Sequence, residues 1–212
     1  MTMLSINTNI GALNSSQSSF SVNKSMEESM QRLSSGKRIN SGADDAAGLF
    51  ITKRMAGEIQ GLNQAVRNAA DAQAYLAKTE GALEEVHTIL LRIRELAVQG
   101  SNGTYTAQDR KAMRAEIHDL QTEINRISTD TTFNNIGVLS GAASTGITFQ
   151  IGADETQTMA VSVPRITISA AGINISTAVQ LSTAAGAKSY ITTLDNAISL
   201  ISTQRGTYAA AM

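Results

Sequence analysis

Residues 62–97, LNQAVRNAADAQAYLAKTEGALEEVHTILLRIRELA, decide the fold of this chain. Their apolar side chains recur at alternating intervals of three and four residues, which places them on one line along a helix. Such spacing is typical of a helix that packs lengthwise against other helices, as in a coiled coil. The flanking positions are mostly charged or amide. The apolar line, called the seam below, comprises Leu62, Ala65, Ala69, Ala72, Leu76, Thr79, Leu83, Val86, Leu90, Ile93 and Ala97, with Thr79 as its one polar member.

The composition favours extended helix contacts over an enclosed pocket. Aromatic residues make up 4% of the 212 residues, and Cys is absent. The absence of Cys excludes disulfides, thiolate metal sites and a cysteine nucleophile. The net charge of −1 provides no general attraction for nucleic acid or an anionic membrane. Because neither a cleavable signal nor a membrane span is evident, we expect a cytosolic protein or one exported with its N-terminus intact.

Two helices are predicted before the middle of the chain. The first candidate runs from Leu4 to Leu33, carries two apolar lines, and needs a partner because its central residues are indifferent or poor helix formers. A Ser- and Gly-rich connector follows, in which Ser41 and Asp44 suggest an N-cap with an acidic first turn. The second helix is predicted over 44–99, about 56 residues and on the order of 84 Å long. A compact single domain does not need such a helix, whereas a filament, stalk or bundle does.

A reversal and a third helix come next. The turn 100–103, GSNG, ends the long helix, and Thr106 with Asp109 predicts the cap of a helix over 107–128. A short link between two apolar seams predicts an antiparallel helix hairpin. The seam of this third helix is Met113, Ile117, Leu120, Ile124 and Ile127.

The chemistry changes after Thr129, where apolar residues begin to alternate with period two. Ile147, Phe149 and Ile151 match Met159, Val161 and Val163 across a polar loop, which predicts a β-hairpin. The stretch 164–181 is predicted to be extended or irregular, and its isoleucines suggest further short strands. These isoleucines are Ile166, Ile168, Ile173 and Ile175.

A last helix is predicted over 185–212 by apolar residues at helical spacing, among them Leu194, Ile198 and Ile201. Because the chain stops along this line without a C-cap, we expect a truncated form of a longer polypeptide. The fold class is therefore mainly α: an elongated antiparallel long-helix coiled-coil bundle, or rod, with a small β-hairpin insert. The expected divisions are 1–40, an N-terminal helix and connector; 41–140, rod helices and an extended link; 141–181, a short outer segment; and 182–212, a returning rod helix.

No catalytic, cofactor or metal site is predicted. His87 and His118 stand alone on helices, without the convergent partners that metal binding or catalysis needs. Glu84, Glu85 and the Asp44–Asp45 pair are interpreted as carboxylates on helix surfaces and in a first turn, not as a paired acid and base. An enzyme on a helical scaffold would need a large pocket lined by titratable groups, and the sequence gives it no support.

Several motifs in combination resemble those of bacterial flagellin. They cover the first 140 residues, and 182–212 fit the returning helix of the family more loosely. The motifs are Ser5–Asn9 (SINTN), Arg32–Ser41 (RLSSGKRINS), Ala43–Leu49 (ADDAAGL), Arg92–Gln99 (RIRELAVQ) and Phe133–Asn135 (FNN).

The resemblance implies a structural subunit that assembles with copies of itself into an extracellular flagellar filament for swimming. Its partners would be other subunits, the flagellar type III export apparatus through which it passes unfolded, and the cap and hook-associated proteins. The first helix would pair with a C-terminal inner helix, which the chain lacks after Met212, and the short outer segment implies a thin, smooth filament. Assembly contacts are expected along the seams: Leu62, Ala69, Leu76, Leu83, Leu90, Ile93, Ile117, Leu120, Ile124, Leu194, Ile198 and Ile201.

The resemblance also implies an innate immune receptor as a possible partner of the monomer, through Arg92, Leu96 and Glu116. By spacing, Arg92 and Leu96 lie one turn apart beside the seam, and Glu116 could approach them from the returning helix. Ordinary interhelix packing or a subunit contact is the alternative for these three residues. The alternative function is a hook–filament junction protein of the same family, which would be present in few copies per flagellum.

Overall fold

The structure is a computed structural model that describes residues 9–141, 144–169, 172–175 and 181–212. Leu4, Ile6 and the motif residues 5–8 lie outside the described residues. The predicted mainly α fold with a small β-hairpin insert is confirmed. The elements in chain order are α1 (Ile10–Ser35), α2 (Ala46–Ser101), α3 (Ala107–Asp130), β1 (Thr132–Phe133), β2 (Ile136–Gly137), β3 (Ile147–Gln150), β4 (Thr158–Val161) and α4 (Ala184–Ala211).

The chain forms two compact units that divide inside α2, between Gln60 and Gly61. The first, called the N-terminal unit, contains α1 and the first turns of α2. The second, called the main unit, contains all the other elements. The boundaries at 140/141 and 181/182, which separate the predicted outer segment from the rod helices, stay predictions.

In the N-terminal unit, polar side chains accept backbone hydrogen bonds at the start of α1 and just before α2. Asn9 caps α1 by accepting a hydrogen bond from the Ala12 N–H, and α1 gives way to Gly36 in the left-handed conformation (φ 65°). The prediction that Ser41 caps the next helix is wrong, because Asp45 directly precedes α2 and accepts from the Gly48 N–H at 2.8 Å. Asp44 instead accepts from the N–H groups of Asn40 and Ser41, which lowers the pKa of its carboxyl group.

In the main unit, α3 and α4 both run antiparallel to α2. The Arg110 guanidinium donates to the Gly100 carbonyl, and Arg92 donates to Glu116. Residue numbers therefore increase along α3 in the direction in which they decrease along α2. Arg94 pairs with Asp195 and Glu80 pairs with Arg205, so α4 also runs antiparallel to α2. The predicted antiparallel hairpin of α2 and α3 is therefore confirmed, and Thr106 and Asp109 form the predicted capping box.

The seam of α2 forms the core of the main unit. From Ala72 to Ala97 each member of the seam is buried, Thr79 included, whose hydroxyl donates to the Tyr75 carbonyl at 2.7 Å. The prediction fails at Leu62, which is 52% exposed. The partner helices do not reach Leu62, because the residue that follows α4 lies beside Gln73 and the end of α3 lies near Lys78.

The predicted β-hairpin is present, with Ile147 opposite Val161 and Phe149 opposite Met159, while Ile151 and Val163 lie outside its strands. A second, smaller hairpin, β1–β2, was not predicted. Its loop is Asn134–Asn135, and both residues have positive φ (48° and 62°), as a tight type I′ turn requires.

The suggestion of further strands at Ile166, Ile168, Ile173 and Ile175 is wrong for the described part of 164–181. That part folds back on itself, with the Ile173 N–H bonded to the Thr167 carbonyl and the Ile175 N–H bonded to Ile168. A Cβ on Gly172 would lie 2.2 Å from the Thr167 oxygen, so the turn requires glycine. These two hydrogen bonds close a loop, but they do not form the repeating pattern of a β-sheet.

We expect α1 to be the least protected long helix. None of its residues is buried, and helices gain most of their stability from tertiary packing. Amide hydrogen exchange by mass spectrometry should therefore show fast exchange over 13–35 and slow exchange over 76–97. Equal protection of the two segments would contradict this expectation.

Arg110 should hold the end of α2. Its side chain is buried, with Nε 2.9 Å from the Gly100 carbonyl oxygen and Nη2 3.0 Å from that of Asn102. Arg110→Ala leaves these carbonyl groups without their donor, so the free energy of unfolding should fall by about 1.5–3 kcal/mol in urea titration.

The matched control is Arg114→Ala, one turn further along α3, where the arginine is exposed. Its effect should stay within about 0.5 kcal/mol. Equal effects of the two substitutions would show that Arg110 does not act as a cap.

Candidate interaction surfaces

The N-terminal unit exposes an unusual amount of apolar surface. On α1 the side chains of Leu13, Phe20 and Leu33 are 59%, 76% and 82% exposed. They belong to the two apolar lines that the sequence predicted, one in each half of the helix. The large apolar side chains that are at least 48% exposed in this unit are Ile10, Leu13, Phe20, Val22, Met26, Met30, Leu33, Phe50, Ile51, Met55 and Ile59.

The first turns of α2 continue this exposure. Ile51, Met55 and Ile59 follow one another at intervals of four residues, so they line one face of the helix. Soluble monomers seldom expose contiguous apolar patches of this kind, and such patches mark surfaces that associate with a partner.

In the main unit, by contrast, the predicted seam residues pack inside the chain. Eight of the twelve expected assembly residues are buried: Leu76, Leu83, Leu90, Ile93, Ile117, Ile124, Leu194 and Ile201. Ala69, Leu120 and Ile198 are partly buried and Leu62 is exposed. Most of these residues therefore hold one molecule together, and a contact between copies would have to use other surfaces of this unit.

The structure brings together two of the three residues expected to meet an immune receptor. Arg92 donates to one oxygen of Glu116 through Nε at 3.1 Å and Nη2 at 2.8 Å, and it donates to Glu95 at 2.5 Å. These bonds, with that to Glu116 the strongest, raise the pKa of the Arg92 guanidinium. Both side chains of the Arg92–Glu116 pair are almost half exposed, so the pair adds little stability but does present a charged surface.

Leu96, which the spacing places beside the seam, is only 2% exposed and is therefore not accessible with Arg92 on the helix surface. Helix α2 contacts α3 through Arg92 and α4 through Arg94, so its buried face is wider than a single seam. Recognition by a receptor stays a prediction, with Arg92 and Glu116 as its accessible residues.

A small aromatic cluster joins three elements of the main unit. The ring of Tyr75 on α2 meets Phe133 of β1 edge to face, with 5.7 Å between centroids, and meets Phe149 of β3 at 5.9 Å. Both contacts have the tilted geometry that aromatic quadrupoles favour. The sequence analysis missed this cluster, because Tyr75 is next to the seam residue Leu76 and its partners lie far away in the chain.

A buried polar network connects α3, α4 and the segment before α4. Gln121 donates from Nε2 to the Ile175 carbonyl at 2.8 Å and to the Tyr190 hydroxyl at 2.9 Å. Burial raises the pKa of Tyr190 to about 12, with the Gln121 hydrogen bond acting in the opposite direction. Gln121 follows Ile117 by four residues, so the helical period could have placed this amide on the buried face.

The histidines, Glu84 and Glu85 lie on α2 and α3 as the sequence indicated, whereas Asp44 and Asp45 precede α2 and are not part of its first turn. His118 is exposed beside Asp119, and His87 is partly buried at the edge of the core. Within the described residues, no three His, Asp or Glu side chains lie close enough to hold a metal ion, and no helix is both long and apolar enough to cross a membrane. An open groove of about 460 Å³ in the N-terminal unit is lined by the cations Lys37, Arg38 and Lys53, and Arg38 also lines a smaller cavity together with Asp44 and Asp45.

Long helices joined through a continuous apolar seam, together with exposed apolar helix faces, define a structural protein that associates with other helices. The family model for the bacterial flagellin N-terminal helical region matches residues 6–144. The chain belongs to the bacterial flagellin family, which is a family of structural proteins and not of enzymes.

Relatives and solved structures agree with the family. The chain is 37% identical to a flagellar filament core protein of Brachyspira hyodysenteriae over 97% of its own length and 76% of that protein. It is 41% identical to the B-type flagellin of Pseudomonas aeruginosa, over 80% of the chain but only 34% of that relative. The chain thus spans about a third of the length of some relatives and about three-quarters of others.

Among solved structures, Bacillus cereus flagellin superposes with a TM-score of 0.57 at 32% identity, over 68% of this chain and 82% of that one. A Vibrio parahaemolyticus protein described as hook-associated gives a TM-score of 0.65 at 15% identity, over 81% of this chain and 89% of that one. At such low identity this second likeness concerns the fold alone.

Ionisation of buried tyrosines should destabilise the main unit in alkali. The pKa of Tyr190 is raised from 10.0 to about 12, and burial raises that of Tyr208 by a similar amount. The neutral phenols therefore contribute stability below pH 10, which is lost as the pH rises from 10 through 12.

Tyr190→Phe should reduce the stability lost between pH 10 and pH 12 by about 2–3 kcal/mol, because one pKa unit corresponds to about 1.4 kcal/mol. Urea titrations at a series of pH values would measure it, and Tyr208→Phe provides a second, independent case. If both variants kept the pH dependence of the parent chain, the tyrosines would not be the titrating groups.

Proposed function

We propose that the chain is a structural subunit that polymerises with copies of itself into the bacterial flagellar filament. The main support is the flagellin family itself, together with the name of the Brachyspira relative as a filament core protein. In this proposal the filament lies outside the cell and serves swimming motility. Subunits would pass unfolded through the flagellar type III export channel, and growth would involve the cap and hook-associated proteins.

The exposed apolar faces of the N-terminal unit carry the assembly step. Ten or so large apolar side chains lie uncovered on α1 and on the first turns of α2, and water contact with such surface is unfavourable. Association with the helices of other copies would remove this surface from water and order α1. In this proposal the partners of α1 are helices of other subunits, and the flagellin family supports that choice.

The main unit would act as the preformed block of the polymer. Its core is filled by side chains from α2, α3 and α4, so it needs no partner to bury its seam. Assembly would therefore add contacts between folded main units and would couple folding to association in the N-terminal unit.

The alternative, a hook–filament junction protein, has weaker support. The structural likeness to a hook-associated protein is at 15% identity and concerns the fold, whereas the flagellins are matched at 32–41% identity. Counting copies in isolated flagella separates the two, because a filament subunit is the most abundant protein there and a junction protein is scarce.

Seeded polymerisation tests the proposal directly. Sheared filaments of the same protein are mixed with the monomer, and growth is followed by sedimentation. The double substitution Leu13→Gln and Phe20→Gln makes one exposed apolar line of α1 polar, and growth should slow by about tenfold or more if that line is buried in the polymer.

Ser18→Gln is the matched control, since Ser18 is an exposed polar residue of the same helix. It should polymerise like the parent chain. Urea unfolding of the main unit should be unchanged in both variants. Normal growth of the double variant would contradict the assembly role of α1, and a parent chain that does not extend the seeds would contradict polymerisation by these 212 residues alone.

A further inference from the structure

The turn between α2 and α3 contains the one Asn-Gly pair of the 212-residue sequence, Asn102–Gly103. The residue after an asparagine controls how easily its backbone nitrogen can reach the asparagine side chain. Glycine offers least hindrance because it has no Cβ and has the widest choice of backbone angles. Asn102, Gly103 and Thr104 are all exposed, so water and hydroxide reach the pair.

The side chain of Asn102 is folded over the backbone that follows it. Its Oδ1 accepts a hydrogen bond from the Thr104 N–H at 3.3 Å, which closes a turn of the Asx type. The nitrogen of Gly103 is one of the backbone atoms of the ring that this hydrogen bond closes. A donor on Oδ1 also stabilises negative charge that develops on that oxygen during nucleophilic attack.

The backbone nitrogen of Gly103, which is the atom that would attack the Asn102 side chain, is not hydrogen-bonded elsewhere in the described part of the protein. Asn102 and Tyr105 donate their N–H groups to backbone carbonyls, whereas within the described residues no protein acceptor is recorded for the Gly103 N–H. The attacking atom and its target belong to adjacent, exposed residues, and an intramolecular reaction gains when its partners are held together in this way.

We propose that Asn102 is a site of spontaneous deamidation. The Gly103 backbone N–H loses its proton to water or hydroxide, and the nitrogen forms a bond to Cγ of Asn102. The Cγ–Nδ2 bond breaks and ammonia leaves, which gives a five-membered succinimide. One water molecule then opens either of its two C–N bonds and yields aspartate or isoaspartate at residue 102. The net change is one water consumed and one ammonia released, with no oxidation or reduction.

The modification would act on the end of α2. It places a negative charge one residue beyond Ser101, at the negative end of the helix dipole, where anions are unfavourable. Isoaspartate also lengthens the main chain at the residue whose carbonyl accepts from Arg110 at 3.0 Å and from the Tyr105 N–H at 3.5 Å. Ageing of the protein would thereby loosen the α2–α3 turn.

The test is to incubate the folded chain at neutral and mildly alkaline pH and follow each asparagine-containing peptide by mass spectrometry. Isoaspartate is detected by labelling with an isoaspartyl methyltransferase. Residue 102 should be modified about tenfold faster than Asn14, which is also exposed but lies inside α1 before Ser15. The rate should rise with pH because the deprotonated amide is the nucleophile.

Two comparisons can overturn the proposal. Gly103→Ala places a Cβ where no atom lies within 4 Å, so the fold tolerates it, yet the methyl group hinders the attack and the rate should fall about tenfold. The folded chain should also react at least as fast as the chain unfolded in urea, because the turn holds the reacting atoms together. An unchanged rate in the variant, or a slower rate in the folded chain, would show that the turn is not poised for deamidation.

Discussion

Burial of one continuous apolar seam on α2 is the constraint on which the main unit depends. From Ala72 to Ala97 the seam is closed on one side by α3 and on another by α4, and the hairpins add Phe133 and Phe149 at its end. Because two helices pack on α2, the buried face is wider than the seam and takes in Tyr75 and Leu96 as well. The free energy of this burial grows with the apolar area removed from water, so helices that stay in contact along their length stabilise the unit more than helices that only cross.

Polar groups then determine how the helices end and where the connecting segments attach. Arg110 satisfies two carbonyl groups at the C-terminus of α2, and Gln121 holds the Ile175 carbonyl and the Tyr190 hydroxyl. These bonds are buried, so losing a partner is costly. The ion pairs on the outside, such as Arg92 with Glu116, are half exposed and contribute little to stability. They present a charged surface on the outside of the main unit.

The contrast between the two units explains how the same chain can be both a folded protein and an assembly component. The main unit buries its apolar residues within itself, while α1 has no buried residue and the first turns of α2 expose Phe50, Ile51 and Met55. A surface of that kind is stable only when another helix covers it.

The sequence alone determined the helices, the order of the elements, the capping box at Thr106 and the presence of the β3–β4 hairpin, because each depends on local spacing or a local cap. The motifs were also sufficient to identify the family. Only the tertiary structure decided which seam residues are buried, since Leu62 and Leu76 look alike in sequence but only Leu76 lies where α3 and α4 cover the helix. The burial of Leu96, the Tyr75 cluster and the loop around Gly172 likewise depend on contacts between residues far apart in the chain, which no local pattern encodes.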